Sequence, residues 1–493
     1  MSATTKIKVD GVEYDAPLGG RLIDFLFTIG KDVPHFCYHP GLSVVASCRQ
    51  CQVESKGKSS KPGLLVACRE KIIDGMDIHT ESPAVAQARQ GVMEFLLLNH
   101  PLDCPICDKA GECRLQDTAY QTGQASTRYQ EPKRLLHKRV DLGEVIVLDE
   151  ERCILCTRCI RFYEDVDKTR QMTVTDRGDR STVGTFQDRP LSGNYQGNLA
   201  DICPVGALTL KQFRFESRVW DLHKTDSVCG LCSKGCNTIV ETKRGHVVRI
   251  RPRPNEQVNG WWLCDQGRLQ FDDLNWTAND GRILTPMLAQ DGVLAPASAD
   301  AAFQRAGELL AGPGVAAILS PFATCEEGQE FKRTFGSAAT CGFFAPARTP
   351  ELVDGLLHTD DPCPNRRGLT EVAELTPLGV EQLLSAVRTA RVVFLSGERL
   401  LLTLPDAIKT ALQKVQNLVL HTRRLEHQTF AAVALPCQSR AEKHGTWVNG
   451  QGLRQEILPA LEAPGRMPAD RDTLRRLAVE ISRTQLRQGA GVP

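Results

Sequence analysis

The hydrophobic pattern of the first hundred residues changes between alternation and helical spacing. Apolar and polar residues alternate over 5–15, which predicts a strand, and apolar residues recur every three or four positions over 21–29, which predicts a helix. Short apolar runs further on predict two more strands around a long loop. The pattern at 83–99 is helical again, and it should end before Pro101 because the residue preceding a proline disfavours helical geometry.

Beyond residue 300 the pattern alternates between strand and helix, which is typical of an α/β domain. The preceding segment 286–300 is rich in Pro, Gly, Ala and Asp, which predicts a linker, and the tail after Arg483 is predicted to be disordered. Strands are predicted at 315–319, 391–395 and 418–421, and helices at 326–335 and 405–415.

Charge excludes two broad functional classes. The chain has 60 basic and 59 acidic residues, a net charge of +1, whereas a protein that binds nucleic acid or an anionic lipid surface usually carries a basic excess. No run of 18 apolar residues occurs, so we expect no direct membrane insertion, and the first residues do not resemble a signal peptide.

Cysteine is the informative residue. The chain has 19 cysteines, and all but four lie between Cys37 and Cys264. In a reducing compartment such density indicates metal binding more than disulfides. The four scattered cysteines form no metal-binding motif and are interpreted as small core residues: Cys325, Cys341, Cys363 and Cys437.

The first two cysteine groups differ in ligand type. Four thiolates on one long loop and its flanks suit a [2Fe–2S] cluster, with structural zinc as the alternative. Three cysteines and one histidine can hold a [4Fe–4S] cluster, although spacing alone equally allows His100 to be an ordinary residue at a helix C-terminus. The groups are Cys37, Cys48, Cys51 and Cys68, and then His100, Cys104, Cys107 and Cys113.

The third and fourth groups also provide complete sets of four. The third resembles the bacterial ferredoxin run that ends in Cys-Pro, but the positions needed for a second ferredoxin cluster hold Tyr163, Gly193, Gln196 and Leu199. The fourth fits a [4Fe–4S] cluster, with a zinc ribbon as the alternative. The groups are Cys153, Cys156, Cys159 and Cys203, and then Cys229, Cys232, Cys236 and Cys264.

Motifs for substrate chemistry are weak in comparison. Gly312-Pro-Gly314 is too short for a dinucleotide-binding fingerprint, and neither G-x-S-x-G nor a phosphate-binding lysine loop occurs. The sequence therefore predicts an electron carrier with no catalytic residues of its own.

Several of these segments resemble a known family, the large iron–sulfur subunit of respiratory NADH:quinone oxidoreductase, or complex I. The resemblance is close over about the first 270 residues and implies that His100 is a ligand. It is carried by HPLDCPICDKAGEC at 100–113, RCILCTRCIR at 152–161, GNLADICPVGAL at 197–208 and VCGLCSKGC at 228–236.

This resemblance implies a multidomain α+β chain with five parts. We expect an N-terminal [2Fe–2S] β-grasp ferredoxin-like domain, a [4Fe–4S] module with one histidine and three cysteine ligands, a ferredoxin-like [4Fe–4S] module, a molybdopterin-oxidoreductase-type [4Fe–4S] domain, and a degenerate, truncated α/β molybdopterin-like domain. The expected ranges are 1–82, 83–139, 140–215, 216–285 and 286–493.

The last part is expected to bind no molybdopterin. AEKHGTWVNG at 441–450 looks like a turn of the molybdopterin enzymes, but Gln266 stands where those enzymes usually carry a lysine between cluster and pterin. The residues beyond the last cluster group are also too few for a full set of pterin-binding domains at ~100–150 residues per domain.

The expected role is electron transfer from an NADH/FMN-binding subunit through iron–sulfur clusters toward quinone, coupled in the whole complex to proton translocation. The resemblance implies one [2Fe–2S] and three [4Fe–4S] clusters, of which the [2Fe–2S] cluster and those of the Cys153 and His100 groups carry the electrons, while the cluster of the Cys229 group lies off the main path. The implied partners are that subunit, a thioredoxin-like [2Fe–2S] subunit and the quinone-side peripheral-arm subunits. The implied location is peripheral, on the cytoplasmic side of the inner membrane. The alternative is the iron–sulfur subunit of a soluble NAD-linked hydrogenase or formate dehydrogenase.

Overall fold

The computed structural model describes residues 3–57, 62–275, 277–425, 430–465 and 467–489. The chain divides into two compact units, Met1–Asp221 and Leu222–Pro493. In the described residues, no helix is both long and apolar enough to cross a membrane.

The first unit opens with a five-stranded sheet in the order β2-β1-β5-β3-β4, covered by α1. The predicted strand at 5–15 is a hairpin, because Asp10 and Gly11 both take positive φ (50° and 83°) and reverse the chain between β1 and β2. The elements are β1 (Thr4–Val9), β2 (Val12–Pro17), α1 (Leu22–Thr28), β3 (Gln52–Ser55), β4 (Gly63–Val66) and β5 (Asp77–His79).

The rest of the first unit consists of short elements joined by loops. Ser82 caps the next helix, since its side chain accepts a hydrogen bond from the Val85 N–H. The small sheets are β10-β7-β6 and β8-β9. The elements are α2 (Pro83–Leu97), α3 (Arg114–Thr122), β6 (Val140–Asp141), β7 (Ile146–Leu148), α4 (Arg158–Asp165), β8 (Met172–Thr175), β9 (Thr182–Thr185), α5 (Asn198–Ile202) and β10 (Leu208–Leu210).

The second unit starts with an antiparallel sheet of three strands and a short helix. The buried apolar residues Val247 and Ile250 lie in the last of these strands. The elements are β11 (His223–Val228), β12 (Asn237–Lys243), β13 (His246–Pro252) and α6 (Asp265–Leu269).

An eight-stranded sheet in the order β15-β14-β21-β20-β19-β16-β17-β18 forms the centre of the second unit, and its strands from β21 to β18 are parallel. The elements are β14 (Met287–Gln290), β15 (Val293–Pro296), α7 (Ala299–Leu310), β16 (Val315–Leu319), α8 (Cys325–Phe335), β17 (Thr340–Phe344), β18 (Thr376–Leu378), α9 (Val380–Thr389), β19 (Val392–Ser396), α10 (Leu400–Thr403), α11 (Asp406–Leu412), β20 (Asn417–Thr422), β21 (Val433–Pro436), β22 (Gly445–Val448), β23 (Arg454–Ile457) and α12 (Asp470–Gly489).

Apolar helices cover this sheet on both faces. Alternate residues of β16 belong to two different cores: Leu319 packs with α7, α8 and α12, whereas Ile318 packs with α9 and α11. This two-sided burial explains why the parallel strands read as unbroken apolar runs. The α/β alternation predicted beyond residue 300 is confirmed.

Two predictions were wrong. The expected linker at 286–300 contains the hairpin β14–β15, and β14 pairs antiparallel with β21, which extends the sheet at that edge. The expected disordered tail is helical through Gly489, as part of α12, while residues 490–493 lie outside the described part. Short strands and polar helix ends carry weak periodic signals, so only the tertiary partners reveal them.

We predict that α12 contributes to the stability of the second unit. Leu477 is fully buried against the core shared with α7 and α8, so Leu477→Ala should lower the free energy of unfolding by about 2–5 kcal/mol. Leu486→Ala, on the exposed part of the same helix, is the control and should change it by less than ~0.5 kcal/mol. Denaturant unfolding measures both, and equal effects would contradict the packing described.

Candidate metal centres

The first cysteine group gathers where the loop from α1 to β3 meets the chain that follows β4. The Cys37 N–H donates to Cys48 Sγ at 3.5 Å, and left-handed backbone at Ala46 and Arg49 turns the loop on either side of Cys48. Hydrogen bonds from the Cys48 and Cys68 thiols lower the pKa of Cys37, and one from Cys68 lowers that of Cys51. The four sulfurs predicted from sequence therefore lie together.

The second group lies between α2 and α3, beside a cavity of about 540 Å³. His100, Cys104 and Cys113 line this cavity. Burial, followed by the charge of Arg152, lowers the pKa of His100 to about 4, so its imidazole is neutral at pH 7, as a ligand must be. Its buried Nδ1 has no hydrogen-bond partner among the described residues, which fits a metal ligand.

Cys107 is the remaining member of this second group and lies on the side next to the third cysteine group. Burial raises the pKa of Cys107, and the charge of Cys104 adds to this rise. Burial, together with the charge of Cys107, raises the pKa of Cys113 to about 11. A Cβ atom at Gly206 would lie 2.2 Å from Cys107 Sγ, so this position requires glycine. The second and third groups are thus packed closely through Gly206.

The third group is held by the loop before α4 and by the end of α5. Left-handed backbone at Leu155 and Thr157 directs the loop around the site, and Cys203 follows the last turn of α5. Burial, and after it the neighbouring thiols, raise the pKa of Cys153 to about 12 and that of Cys156 to about 11.

The positions that would serve a second ferredoxin cluster are occupied by packed residues. Tyr163 and Leu199 are fully buried, and Gln196 is 6% exposed. The ring of Tyr163 lies edge-on to Phe162 with centroids 5.6 Å apart. Protein side chains therefore fill this side of the third module.

The fourth group lies on the turn between β11 and β12 and at the start of α6. The Gly267 N–H donates to Cys264 Sγ at 3.3 Å, and a Cβ on Gly267 would lie 3.0 Å from Cys229 Sγ. Burial, and after it Cys232, raise the pKa of Cys229 to about 11. Four thiols so close together can ionise together only beside a strong positive charge, which iron supplies.

The scattered cysteines outside the four groups behave as core residues. One of them also belongs to a buried polar cluster that the sequence did not reveal. Cys325, Cys363 and Cys437 are buried, and Cys437 lies with His421 and Asp470, whose ligand atoms are all within 4.8 Å of one another. The Lys443 ammonium is 2.9 Å from Asp470 Oδ2 and already balances that carboxylate. This cluster is therefore an internal ion-pair network.

Four family profiles match the chain in series. They are described as a 2Fe-2S iron-sulfur cluster binding domain, an NADH-ubiquinone oxidoreductase-G iron-sulfur binding region, a ferredoxin-like domain of NADH-quinone oxidoreductase subunit 3, and an NADH-ubiquinone oxidoreductase NDSU1/NuoG-like 4Fe-4S domain. They match residues 2–83, 89–128, 143–209 and 222–272.

Curated relatives are named as the G-type subunit of NADH-quinone oxidoreductase. The protein of Rickettsia felis is 41% identical over 293 residues, which are 59% of this chain and 42% of that protein. The protein of Streptomyces coelicolor is 41% identical over 318 residues, which are 64% of this chain and 37% of that protein. The chain thus spans less than half the length of these curated relatives.

Among solved structures, a chain of an NAD+-reducing [NiFe]-hydrogenase in its H2-reduced state is 25% identical, with a TM-score of 0.39 over 44% of this chain and 92% of that chain. The acetylene hydratase of Pelobacter acetylenicus is 16% identical, with a TM-score of 0.20 over 23% of this chain and 17% of that chain.

The expected resemblance to the large iron–sulfur subunit of complex I is therefore confirmed. The chain contains [2Fe–2S] and [4Fe–4S] cluster-binding domains, of ferredoxin-like type at residues 143–209, within a multidomain α+β architecture.

We predict that His100→Cys retains the cluster and lowers its reduction potential, because a thiolate adds negative charge where a neutral imidazole stood. A potentiometric titration followed by electron paramagnetic resonance (EPR) measures this. The control is the same substitution at His137, an exposed histidine nearby, which should leave all potentials unchanged. An unchanged potential in His100→Cys would show that His100 is not a ligand.

Proposed function

We propose that this chain is an electron-transfer subunit of an NADH:quinone oxidoreductase of the complex I type. It would take electrons from an NADH/FMN-binding subunit and pass them toward quinone, with proton translocation carried out by the whole complex. The observation that carries the proposal is the set of four gathered ligand groups, each inside a segment that matches a cluster-binding family.

We assign one [2Fe–2S] and three [4Fe–4S] clusters to these groups. When bound, such clusters supply one-electron redox chemistry at potentials set by charge, hydrogen bonds and exposure. The proposed ligands are Cys37, Cys48, Cys51 and Cys68 for [2Fe–2S], and His100 with Cys104, Cys107 and Cys113, Cys153 with Cys156, Cys159 and Cys203, and Cys229 with Cys232, Cys236 and Cys264 for [4Fe–4S].

The chain's own residues hold, shield and tune these groups. Most of the thiols are buried away from water, while Cys104 is exposed. The neutral His100 removes one negative charge from its group, and glycine at 206 and 267 lets the backbone approach the sulfurs. The charges of Arg440 and Arg399 partly oppose the rise that burial causes in the pKa of Cys229, so the fourth group faces positive charge. Such charge would raise the potential of a cluster bound there.

Partners, location and domain limits belong to the same proposal. The relatives are named as one subunit of an NADH-quinone oxidoreductase, which supports other subunits of such a complex as partners. We propose that these are the NADH/FMN-binding subunit, a thioredoxin-like [2Fe–2S] subunit and the quinone-side peripheral-arm subunits. We propose a peripheral position on the cytoplasmic side of the inner membrane. We also propose five domains, at 1–82, 83–139, 140–215, 216–285 and 286–493, the first of β-grasp type.

Residues 286–493 are proposed to be a degenerate, truncated molybdopterin-like α/β domain that acts as a scaffold. The amide of Gln266, which stands in place of the usual lysine, pairs with His358, with 3.0 Å between Oε1 and Nε2. Elsewhere in the same domain, the buried Lys443 ammonium forms ion pairs with Glu327 and Asp470, at 3.1 and 2.9 Å. Both features support a domain without a pterin cofactor.

The function is tested by replacing the gene in its host. Membranes that lack the chain should lose NADH:quinone electron transfer, and the wild-type chain should restore it. Cys153→Ser should restore less than about a tenth of the rate, because serine is a poor substitute for a soft thiolate ligand on iron. Cys341→Ser, outside all four groups, is the control and should restore the full rate. Dependence of the chain's reduction on hydrogen or formate would support the alternative enzymes.

Metal analysis tests the cofactor assignment. Anaerobically purified protein should contain about fourteen iron atoms and as many sulfides per chain, and no molybdenum or tungsten. A value near ten would remove one [4Fe–4S] group from the assignment. Stoichiometric molybdenum or tungsten in the intact complex would overturn the scaffold role of residues 286–493.

A further inference from the structure

Two arginines of helix α4, which lies beside the third cysteine group, extend to the loop that carries the first cysteine group. Arg158 and Arg161 are three positions apart and therefore share a face of the helix, and both are nearly fully buried. Their guanidinium groups reach the segment that carries Cys37, more than 110 residues earlier in the chain.

Arg161 joins a ligand residue of one group to a ligand residue of the other. Its Nη2 donates to the carbonyl oxygen of Cys37 at 2.5 Å and to the carbonyl oxygen of Cys156 at 3.1 Å. Its Nη1 also donates to the carbonyl oxygen of Ser43 in the same loop. One nitrogen atom thus connects the two ligand backbones.

Arg158 also joins the two groups, but it contacts residues that neighbour the proposed ligands in the chain. Its Nη1 donates to the Ile202 carbonyl at 3.0 Å, and its Nη2 donates to the Tyr38 carbonyl. Tyr38 follows Cys37 in the chain and Ile202 precedes Cys203. The Asp165 carboxylate adds a third contact, since the Ser43 N–H donates to it at 2.7 Å.

Two buried guanidinium groups are costly unless something compensates their charge. Carbonyl dipoles satisfy several N–H donors, but among the contacts of the described residues neither arginine has a carboxylate partner. Thiolate-ligated clusters in the cysteine groups on both sides would provide the missing negative charge. The planar five-donor guanidinium can serve two backbones at once, which lysine cannot do with the same geometry.

We propose that Arg161 is the positioning residue that couples the [2Fe–2S] site to the Cys153 [4Fe–4S] site. This inference rests on the proposed function. Arg161 fixes the separation of the two sites. Its Nη2 supplies the connection, because it is hydrogen-bonded to the Cys37 carbonyl on one side and to the Cys156 carbonyl on the other. In the coupled step a single electron moves between the two sites, so one site is oxidised and the other is reduced. No covalent bond forms or breaks, and no proton moves.

The test uses the intact complex with Arg161→Gln, Arg161→Lys and a matched control, Arg177→Gln, which replaces an exposed arginine of the same module. Three quantities are measured by EPR: the potentials of both sites, the magnetic interaction between them when both are reduced, and the rate at which the Cys153 site is reduced after mixing with NADH.

Both Arg161 variants should retain their clusters, weaken the magnetic interaction and slow the reduction by about tenfold or more, since a displacement near 1 Å can cost that much. Only Arg161→Gln, which also loses the charge, should lower both potentials. Arg177→Gln should match the wild type in all three measurements.

The inference is overturned if Arg161→Gln keeps the magnetic interaction and the rate within about twofold of the wild type. It is also overturned if Arg161→Lys matches the wild type, because charge alone would then explain the arginine. If Arg161→Lys assembles neither cluster, Arg161 is a folding element and the coupling role is rejected. Absence of EPR signals in the wild-type chain would instead refute the proposed function.

Discussion

The crowding of buried sulfur is the constraint on which the cluster-binding part of the chain depends. In the third group, burial and neighbouring thiols hold the pKa values of Cys153 and Cys156 well above their usual range. Charged thiolates at such distances repel one another, and a bound metal removes that repulsion. The loops that carry them have few backbone pairs of their own, so their geometry depends on the helices around them, and a bound metal would add to this support.

The same electrostatic requirement accounts for the buried cations beside these loops. Arg158 and Arg161 face the first and third groups, and Arg440 lies near Cys229. Each would be unfavourable in an apolar interior and becomes favourable next to negatively charged metal–thiolate groups. Metal-bound thiolates and arginines would therefore stabilise one another, and we propose that an arginine that contacts two groups also sets their separation.

The sheet of the second unit is stabilised in a different way. Residues such as Ile318 and Leu319 pack against helices on opposite faces, so burial of apolar side chains holds this sheet together. Ligands of parallel α/β sheets usually bind near the carboxyl ends of strands. At the end of β20, His421 instead packs beside Asp470, whose charge Lys443 balances. This internal pairing agrees with a supporting role for the domain.

The cysteine groups that the fold gathers and the alternation of strands and helices could be predicted from the amino-acid order alone, because cysteine spacing and apolar periodicity are local properties of the chain. The hairpin at 287–296, the helical end of α12 and the cluster around His421 could not, since these depend on distant partners. Nor did any local pattern distinguish Arg161 from other arginines. Folding brings the Cys37 carbonyl to the guanidinium nitrogen that also binds the Cys156 carbonyl. Cys37 lies more than a hundred positions from Arg161, and a hydrogen bond over such a distance along the chain exists only after the chain has folded.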